Sequence, residues 1–376
     1  KKRTGIVVAK SIPAKKYGIQ TGEPMGLALQ KCPDLVCVPS DFALYDRCSK
    51  AFKSICASYA PVMESFSIDE VFLDMTGTGQ IYPDPVATAC EIKDRIYREL
   101  GFTVNVGIST NKLLAKMASD FEKPNKVHTL YPEEVPRKMW PLPVRDLLFL
   151  GKASEKKLVQ NGIRTIGDLA RANEKEIQML LGEKAGHQLY LSANGIDDSP
   201  VKAQREEAKG ISVETTFDED IVSYEQIFPI LLSQCDIVAA RMRREGKKCN
   251  CVAVSFRTLE FKNKSHQRKL DNPTDVTNEI YQNVRQLFQE SWSGQPLRLI
   301  GVALTGLTED DFIQMSLFED PKKREQQKKL DEAMDNIRKK FGNDKISRAS
   351  TMNVSGRIAR KAKAQMENGR KKNDEL

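Results

Sequence analysis

The chain has 376 residues, room for about two to four domains, with an ordinary balance of 40% hydrophobic and 29% charged residues. A formal net charge of +8 points to a polyanionic partner rather than an acidic surface role. No apolar run is long enough for a bilayer and no signal peptide is visible, so a cytosolic location is the default. Eight scattered cysteines without a Cys-x-x-Cys pair, and only three histidines, argue against zinc and for core cysteines in a reducing compartment.

The chain opens Lys1-Lys2-Arg3-Thr4-Gly5 with no Met and reads as cut from a longer protein. Ile6-Val7-Val8-Ala9 is predicted as a short strand. Ala14 to Gly22 reads as a helix stopped by Gly18, and Met25 to Lys31 as a further helical turn. Ala43 to Ser58 is helical by the spacing of Leu44, Cys48, Phe52 and Ile55.

Glu64-Ser-Phe-Ser-Ile-Asp-Glu-Val-Phe-Leu-Asp-Met-Thr76 follows, an apolar, β-prone run broken by Asp69 and Glu70. Neighbouring side chains of a straight strand point to opposite faces, so two acids that work together must sit at a bend. The run is predicted as a hairpin with Ser67-Ile68-Asp69-Glu70 at its tip. Converging hard oxygen ligands there suit Mg²⁺; the plain alternative is a solvated acidic turn. Pro85 to Leu100 is an amphipathic helix, Thr103 to Ile108 a buried strand, and Ser109 to Asp120 a helix with a Ser/Thr N-cap.

The wording Ser67-Ile68-Asp69-Glu70 followed by Val-Phe-Leu-Asp-Met-Thr resembles the palm motif of the Y-family lesion-bypass DNA polymerases of the DinB/UmuC type (impB/mucB/samB). Gly107-Ile108-Ser109-x-Asn111-Lys112-x-x-Ala115-Lys116-x-Ala118-Ser119-x-x-x-Lys123-Pro124 is similar to the second palm motif. The resemblance implies a multidomain α/β (α+β) fold: a small fingers remnant at 1–41, a ferredoxin-like palm at 42–130 and a helix-hairpin-helix thumb at 131–200. A linker at 201–210 and a β-α-β-β-α-β little finger at 211–312 complete it.

It also implies site residues. Asp69 and Glu70 become the catalytic, metal-binding pair, for two expected Mg²⁺ ions. Lys15 and Lys123 become the cations for the incoming nucleoside triphosphate, supported by Asn111 and Lys116; read alone, each of these is a solvated surface residue. Ile12 stands where many relatives place a phosphate-touching Tyr, and it cannot donate a hydrogen bond. In the family the remaining metal carboxylate and the aromatic residue that excludes ribonucleotides come from a first palm strand, upstream of Lys1. The chain as it stands is therefore expected to be inactive or nearly so; Asp74, on the outgoing strand, is a poor substitute.

Residues 131–200 read as short helices with Gly-centred turns. Gly151-Lys152-Ala153, with Ala in place of the second Gly, and Gly182 mark two hairpins whose backbone amides could hold DNA phosphates; the plain alternative is a helical bundle. In 211–312 the cations include Arg241, Arg243, Arg244, Lys247, Lys248, Lys262, Lys264, Arg268 and Lys269. Arg241, Lys247, Lys248 and Arg268 are expected to contact DNA, giving salt-dependent, sequence-independent affinity.

Gln314-Met315-Ser316-Leu317-Phe318 resembles the Gln-x-x-Leu-Phe peptide that docks bacterial polymerases on the sliding clamp, with Gln314, Leu317 and Phe318 as its anchors. Residues 319–376 are a charged amphipathic helix and a basic tail. The expected function is template-directed, two-metal nucleotidyl transfer to a primer 3′ end during the damage (SOS) response. The partners are primer-template DNA, deoxynucleoside triphosphates and the clamp, for a monomer in the cytoplasm at the nucleoid and not on a membrane. The competing readings are a non-catalytic DNA- and clamp-binding relic and a helix-hairpin-helix nuclease that uses the same acids.

Overall fold

The computed structural model describes residues 5–204, 207–309, 321–343 and 345–351. It divides into two compact units, Asp41–Glu206 and Lys1–Ser40 together with Glu207–Leu376. No helix of the described residues is long and apolar enough to cross a membrane.

The first segment carries α1 (Ile12–Lys16) and α2 (Met25–Lys31) around buried Val7, Ile19 and Ala28. Ser11 caps α1, its Oγ accepting from the Ala14 amide at 3.3 Å, and Pro13 suits the first turn. The predicted strand at Ile6–Ala9 reduces to a single bridge between Ile6 and Pro24.

In the second unit, α3 (Phe42–Ala57) starts at Asp41, whose carboxylate accepts from Leu44 N, and packs on a hairpin of β1 (Val62–Ser65) and β2 (Val71–Asp74). Helix α4 (Pro85–Leu100) runs from an Asp84 cap and Pro85 to Gly101, which takes a left-handed conformation (φ +77°). Then come β3 (Val106–Ile108), α5 (Lys112–Ser119) and β4 (Val127–Thr129). The N-cap of α5 is Asn111, not the expected Ser or Thr, its side chain accepting from Leu114 N. The strands form two separate two-stranded sheets, β1 antiparallel to β2 and β3 parallel to β4, rather than one continuous sheet.

Gly107 lets β3 and α5 touch at backbone distance. A Cβ there would lie 2.0 Å from Ala115 O and 2.5 Å from Ser119 N, which no rotamer can relieve. Gly107→Ala is expected to destabilise this unit by about 3 kcal/mol, read as a lowered denaturation midpoint with the slope unchanged.

The rest of the unit is helical: α6 (Val135–Lys138), α7 (Lys152–Gln160), α8 (Ile166–Arg171), α9 (Glu174–Leu181) and α10 (Glu183–Ala193). Their core joins Leu114, Leu130, Met139, Leu147, Leu158, Ile166 and Leu169, so α5 of the strand-bearing half is continuous with them. Thr165 and Asp168 form a capping box on α8, and Gly186 allows α10 to cross α9 within contact of Gln178.

The C-terminal segment runs β5 (Gly210–Ile221), α11 (Tyr224–Arg244), β6 (Lys248–Thr258), β7 (Asn263–Thr274), α12 (Thr277–Ser291), β8 (Leu297–Thr308) and α13 (Pro321–Phe341). The order β-α-β-β-α-β is as predicted, and the antiparallel sheet has the order β5-β8-β6-β7. Val213, Val252, Val254, Phe256, Ile300 and Val302 face α11 and α12 and bury a shared core with Phe288. The opposite positions carry small or polar residues, Gly301 and Ala303 on β8 and Ala253 and Ser255 on β6. Alternation of period two separates the faces.

Helix α13 is fastened by buried charge. Arg243 donates to Asp335 at 2.8 Å and lies 3.4 Å from Asp331, Arg338 donates to Asp236 at 2.6 Å, and Arg348 pairs with both Asp331 and Asp236. Asp331 also accepts the Thr277 amide at the start of α12, at 2.8 Å. Burial pushes the Arg243 pKa down, but its bond to Asp335 and the charges of Asp331 and Asp236 outweigh that and hold it raised.

Candidate active site

The hairpin places Ser67-Ile68-Asp69-Glu70 at its tip, closed by the Phe66 and Ser67 amides donating to Glu70 O at 3.1 Å each. Helix α3 fixes the tip from below. Lys53 Nζ donates to Ser67 O at 2.6 Å, and Ser49 Oγ donates to Ile68 O. Neither Ser49 nor Lys53 stands out in the sequence, because the carbonyls they hold are 19 and 14 residues away and contacts across that gap leave no local pattern.

Asp69 is exposed, and its Oδ1 accepts from Ser67 Oγ at 2.7 Å. Glu70 is half-buried and accepts from Lys116 Nζ at 2.7 Å through Oε1. Asp74 lies opposite Val62, at the far end of the hairpin, with its carboxylate bonded to Thr76 N at 2.9 Å. Its bonds with Thr76 lower its pKa.

Lys116 begins a chain of alternating charge. Its ammonium also pairs with Asp120 at 2.8 Å, one turn on along α5, and Lys123 pairs with the other Asp120 oxygen at 2.7 Å. Glu70, Lys116, Asp120 and Lys123 thus form one relay, from the acidic hairpin to the expected triphosphate cation. Burial pushes Lys116 down, but its bonds to Asp120 and Glu70 dominate and raise its pKa. Burial pushes Asp120 up, but the two lysines dominate and lower it. The Lys123 loop is held by Asn105, which donates to Glu122 O at 2.7 Å and accepts from Lys126 N at 3.1 Å.

A second cluster anchors the end of the helical half on the strands. Lys112 donates to both Glu64 oxygens at 2.8 and 2.7 Å, and the Lys202 amide donates to Glu64 at 2.8 Å. Asp197 accepts from Leu113 N at 3.0 Å, and Asn111 Nδ2 donates to Gly195 O at 2.9 Å. Asn111 and Lys112 therefore hold the chain rather than point toward the acidic pair. Burial raises the Glu64 pKa, but Lys112 and the Lys202 amide outweigh it and hold it low.

The remaining expected residues divide. Lys15 is an exposed residue of α1, in the other unit, and Ile12 beside it is exposed. Gly151 is the N-cap of α7 in extended conformation, and Ala153 lies in its first turn. With Ala153 in place of the second glycine, Gly151-Lys152-Ala153 makes no tight turn; the turn falls earlier, with Phe149 in the left-handed conformation (φ +66°). Gly182 is the left-handed joint (φ +94°) between α9 and α10.

Lys248 was expected on an exposed cationic flank and is instead 9% exposed at the start of β6. Arg241 is half-buried, and burial followed by repulsion from Arg244 lowers its pKa. Lys247 pairs with Glu207. Arg268 lies opposite buried Val252, on the helix side of the sheet, and pairs with Glu290 at 2.6 Å. The physical reason is packing: α11 and α12 cover the face that Arg268 lies on, and Lys247 and Arg268 meet carboxylates of the fold, Glu207 and Glu290. Gln314, Leu317 and Phe318 lie outside the described residues.

The donor set at the tip is all oxygen, which suits a hard cation. Among the described residues, Asp69 Oδ2 and Glu70 Oε2 have no protein partner, and no group of three or more His, Cys, Asp or Glu gathers. The residues present therefore fit as two metal ligands.

The family model of the impB/mucB/samB family matches residues 1–120, and the model of its C-terminal domain matches residues 208–317. The DNA polymerase-iota thumb-domain model matches residues 145–197. The chain is 43% identical to DNA polymerase IV of Clostridium acetobutylicum over 349 residues, covering 93% of this chain and 87% of the relative. It is 36% identical to DNA polymerase IV 2 of Bacillus subtilis over 369 residues, covering 96% and 89%. A solved Y-family DNA polymerase chimera, Dbh-Dpo4-Dbh, shares the fold with a TM-score of 0.73 at 23% identity, over 82% of this chain and 90% of that one. Family models spanning both units, and relatives matched along nearly their whole length, leave one assignment: the chain belongs to the impB/mucB/samB family, the Y-family lesion-bypass DNA polymerases.

Proposed function

We propose that Asp69 and Glu70 are the metal-binding carboxylates of a two-metal nucleotidyl transfer, and that Lys123 and Lys15 receive the triphosphate. The observation that carries this reading is the hairpin tip: two neighbouring carboxylates, each with a free oxygen, on a turn pinned from below by Ser49 and Lys53. Mg²⁺ bound there would lower the pKa of the primer 3′-hydroxyl and neutralise charge on the phosphates.

The protein's own part is orientation. The tip is rigid because both of its outer carbonyls are bonded to α3. Lys116 keeps Glu70 from swinging into solvent. Asp120 holds Lys123 in place before nucleotide arrives; a triphosphate carries more charge than one carboxylate and draws the ammonium to itself. Phosphate contacts of the duplex then fall to the amides at the starts of α7 and α10, near Gly151, Ala153 and Gly182, which position DNA without reading its sequence. The face of the four-stranded sheet away from α11 and α12 mixes small residues (Ala253, Ser255, Gly301, Ala303) with the cations Arg257 and Lys269, which suits a phosphate backbone.

The clamp peptide Gln314, Leu317 and Phe318 belongs to the same proposal and rests on its wording alone. So does work at the nucleoid, in the cytoplasm, during the damage response.

The test is extension of a labelled primer with Mg²⁺ and four deoxynucleotides. Longer products support the polymerase mechanism, shortened primers would indicate a nuclease and unchanged ones a binder. Lys116→Ala is expected to raise KM for the nucleotide about tenfold, because Asp120 then competes undivided for Lys123. A KM unchanged by this substitution would remove Lys116 from the relay.

A further inference from the structure

Phe149 occupies a backbone position that its side chain opposes. In the turn Leu147–Leu150, closed by Leu150 N donating to Leu147 O at 3.1 Å, it is the third residue, with φ +66°. A turn of this kind reserves that place for glycine, because a Cβ there crowds the following carbonyl. For a bulky residue it is an outlier, and outliers of this kind gather where function requires them.

The ring gains little within the fold. Leu147 is buried and Leu148 and Leu150 pack against the helical core, but Phe149 is 78% exposed. Among the described residues its ring contact is Phe66, edge-on, with centroids 6.5 Å apart. The contrast with Phe261 is direct. That residue also has a positive φ (+61°), but the Arg298 guanidinium lies 4.6 Å from the centre of its ring. Phe66 is itself exposed and stands three residues before Asp69, so two exposed rings lie beside the tip of the acidic hairpin. Exposed Lys152 and Lys156 follow on α7. Strained backbone and exposed apolar surface both oppose folding, and the edge-on contact with Phe66 is all that the described residues set against them.

We propose that Phe149 is a DNA-contact residue, its ring packing beside Phe66 on the base or sugar of the terminal primer nucleotide. DNA is the occupant because the turn lies within the match to a polymerase thumb domain and its exposed flank is cationic. Every nucleotide offers an apolar face to an aromatic ring, whatever its sequence. The place at the primer end rests on the carboxylate reading proposed above; the contact with DNA does not.

Phe149→Gly removes the ring and relieves the backbone at once, which separates contact from stability. In the full chain, melting temperature is expected to stay level or rise. Affinity for a labelled primer-template, read by fluorescence anisotropy, should fall about tenfold. The slope of log affinity against log salt should not change, since no phosphate contact is lost. Phe149→Trp should restore the affinity. Binding by Phe149→Gly within about twofold of the parent would overturn the proposal, and so would a fall in melting temperature, which would make the ring a packing element against Phe66. Asp69→Ala measured in parallel keeps the two readings apart. If Phe149→Gly loses affinity while Asp69→Ala still extends primers, the carboxylate reading fails and the DNA contact stands; the reverse pattern sinks the contact alone.

Discussion

In a parent chain that extends primers, Asp69→Ala is expected to lower that extension about a thousandfold or more while leaving the fold intact. The carboxylate is exposed, and its hydrogen bonds are local ones to Ser67. Its removal uncovers no buried partner, so the melting temperature should move by less than about 2 °C. The activity loss follows from charge: the proposed metal would keep one carboxylate of the pair, Glu70, and that one is already shared with Lys116. A second readout, independent of turnover, is Mn²⁺ affinity measured by its paramagnetic signal, which should weaken with the same substitution. Extension retained at near the parental rate, with Mn²⁺ binding unchanged, would place the metal elsewhere.

Asp331→Ala is expected to have the largest effect on stability. Asp331 is 2% exposed and joins three groups: Arg243, Arg348 and the Thr277 amide. Alanine would take one carboxylate from two buried guanidinium groups, leaving Arg243 only Asp335 and Arg348 only Asp236, and would strip the Thr277 amide of its acceptor; breaking one side of such a buried network costs about 3–5 kcal/mol. For a unit of this size that is a fall of roughly 10 °C in the transition of the C-terminal segment. Heating followed by far-ultraviolet circular dichroism and by limited proteolysis should show α13 released first, because the network is what fastens it. A loss below about 1 kcal/mol would mean that the charges are solvated in solution and that the helix is held by its apolar side alone.

The two substitutions mark the boundary between what is local and what is not. The acidic tip is legible in the sequence because a hairpin is a short-range object: alternating apolar residues on both sides of a polar turn can form little else, and neighbouring acids can converge only at its end. The helices read at Ala43 to Ser58 and Pro85 to Leu100 and the β-α-β-β-α-β order are local in the same sense. Lys116 and Lys123 share a helix and its exit, so their neighbourhood was also readable.

The tertiary structure alone decided which charges are used up within the fold. Lys248 and Arg268 look like their solvent-facing neighbours in sequence, and the sheet places them on the covered side or against Glu290. Arg243 meets acids of α13 about ninety residues later, and no local pattern announces a pairing across that distance. The same holds for Ser49 and Lys53 under the hairpin tip, and for Glu64 holding Lys112 and Lys202. Phe149 is the sharpest case. Within Leu147-Leu148-Phe149-Leu150 it reads as one more core residue, and only the turn, by rotating a single φ to a positive value, turns it out to solvent. Composition and period determined the elements and the acidic pair; packing over long sequence separations decided which side chains remain free for a ligand.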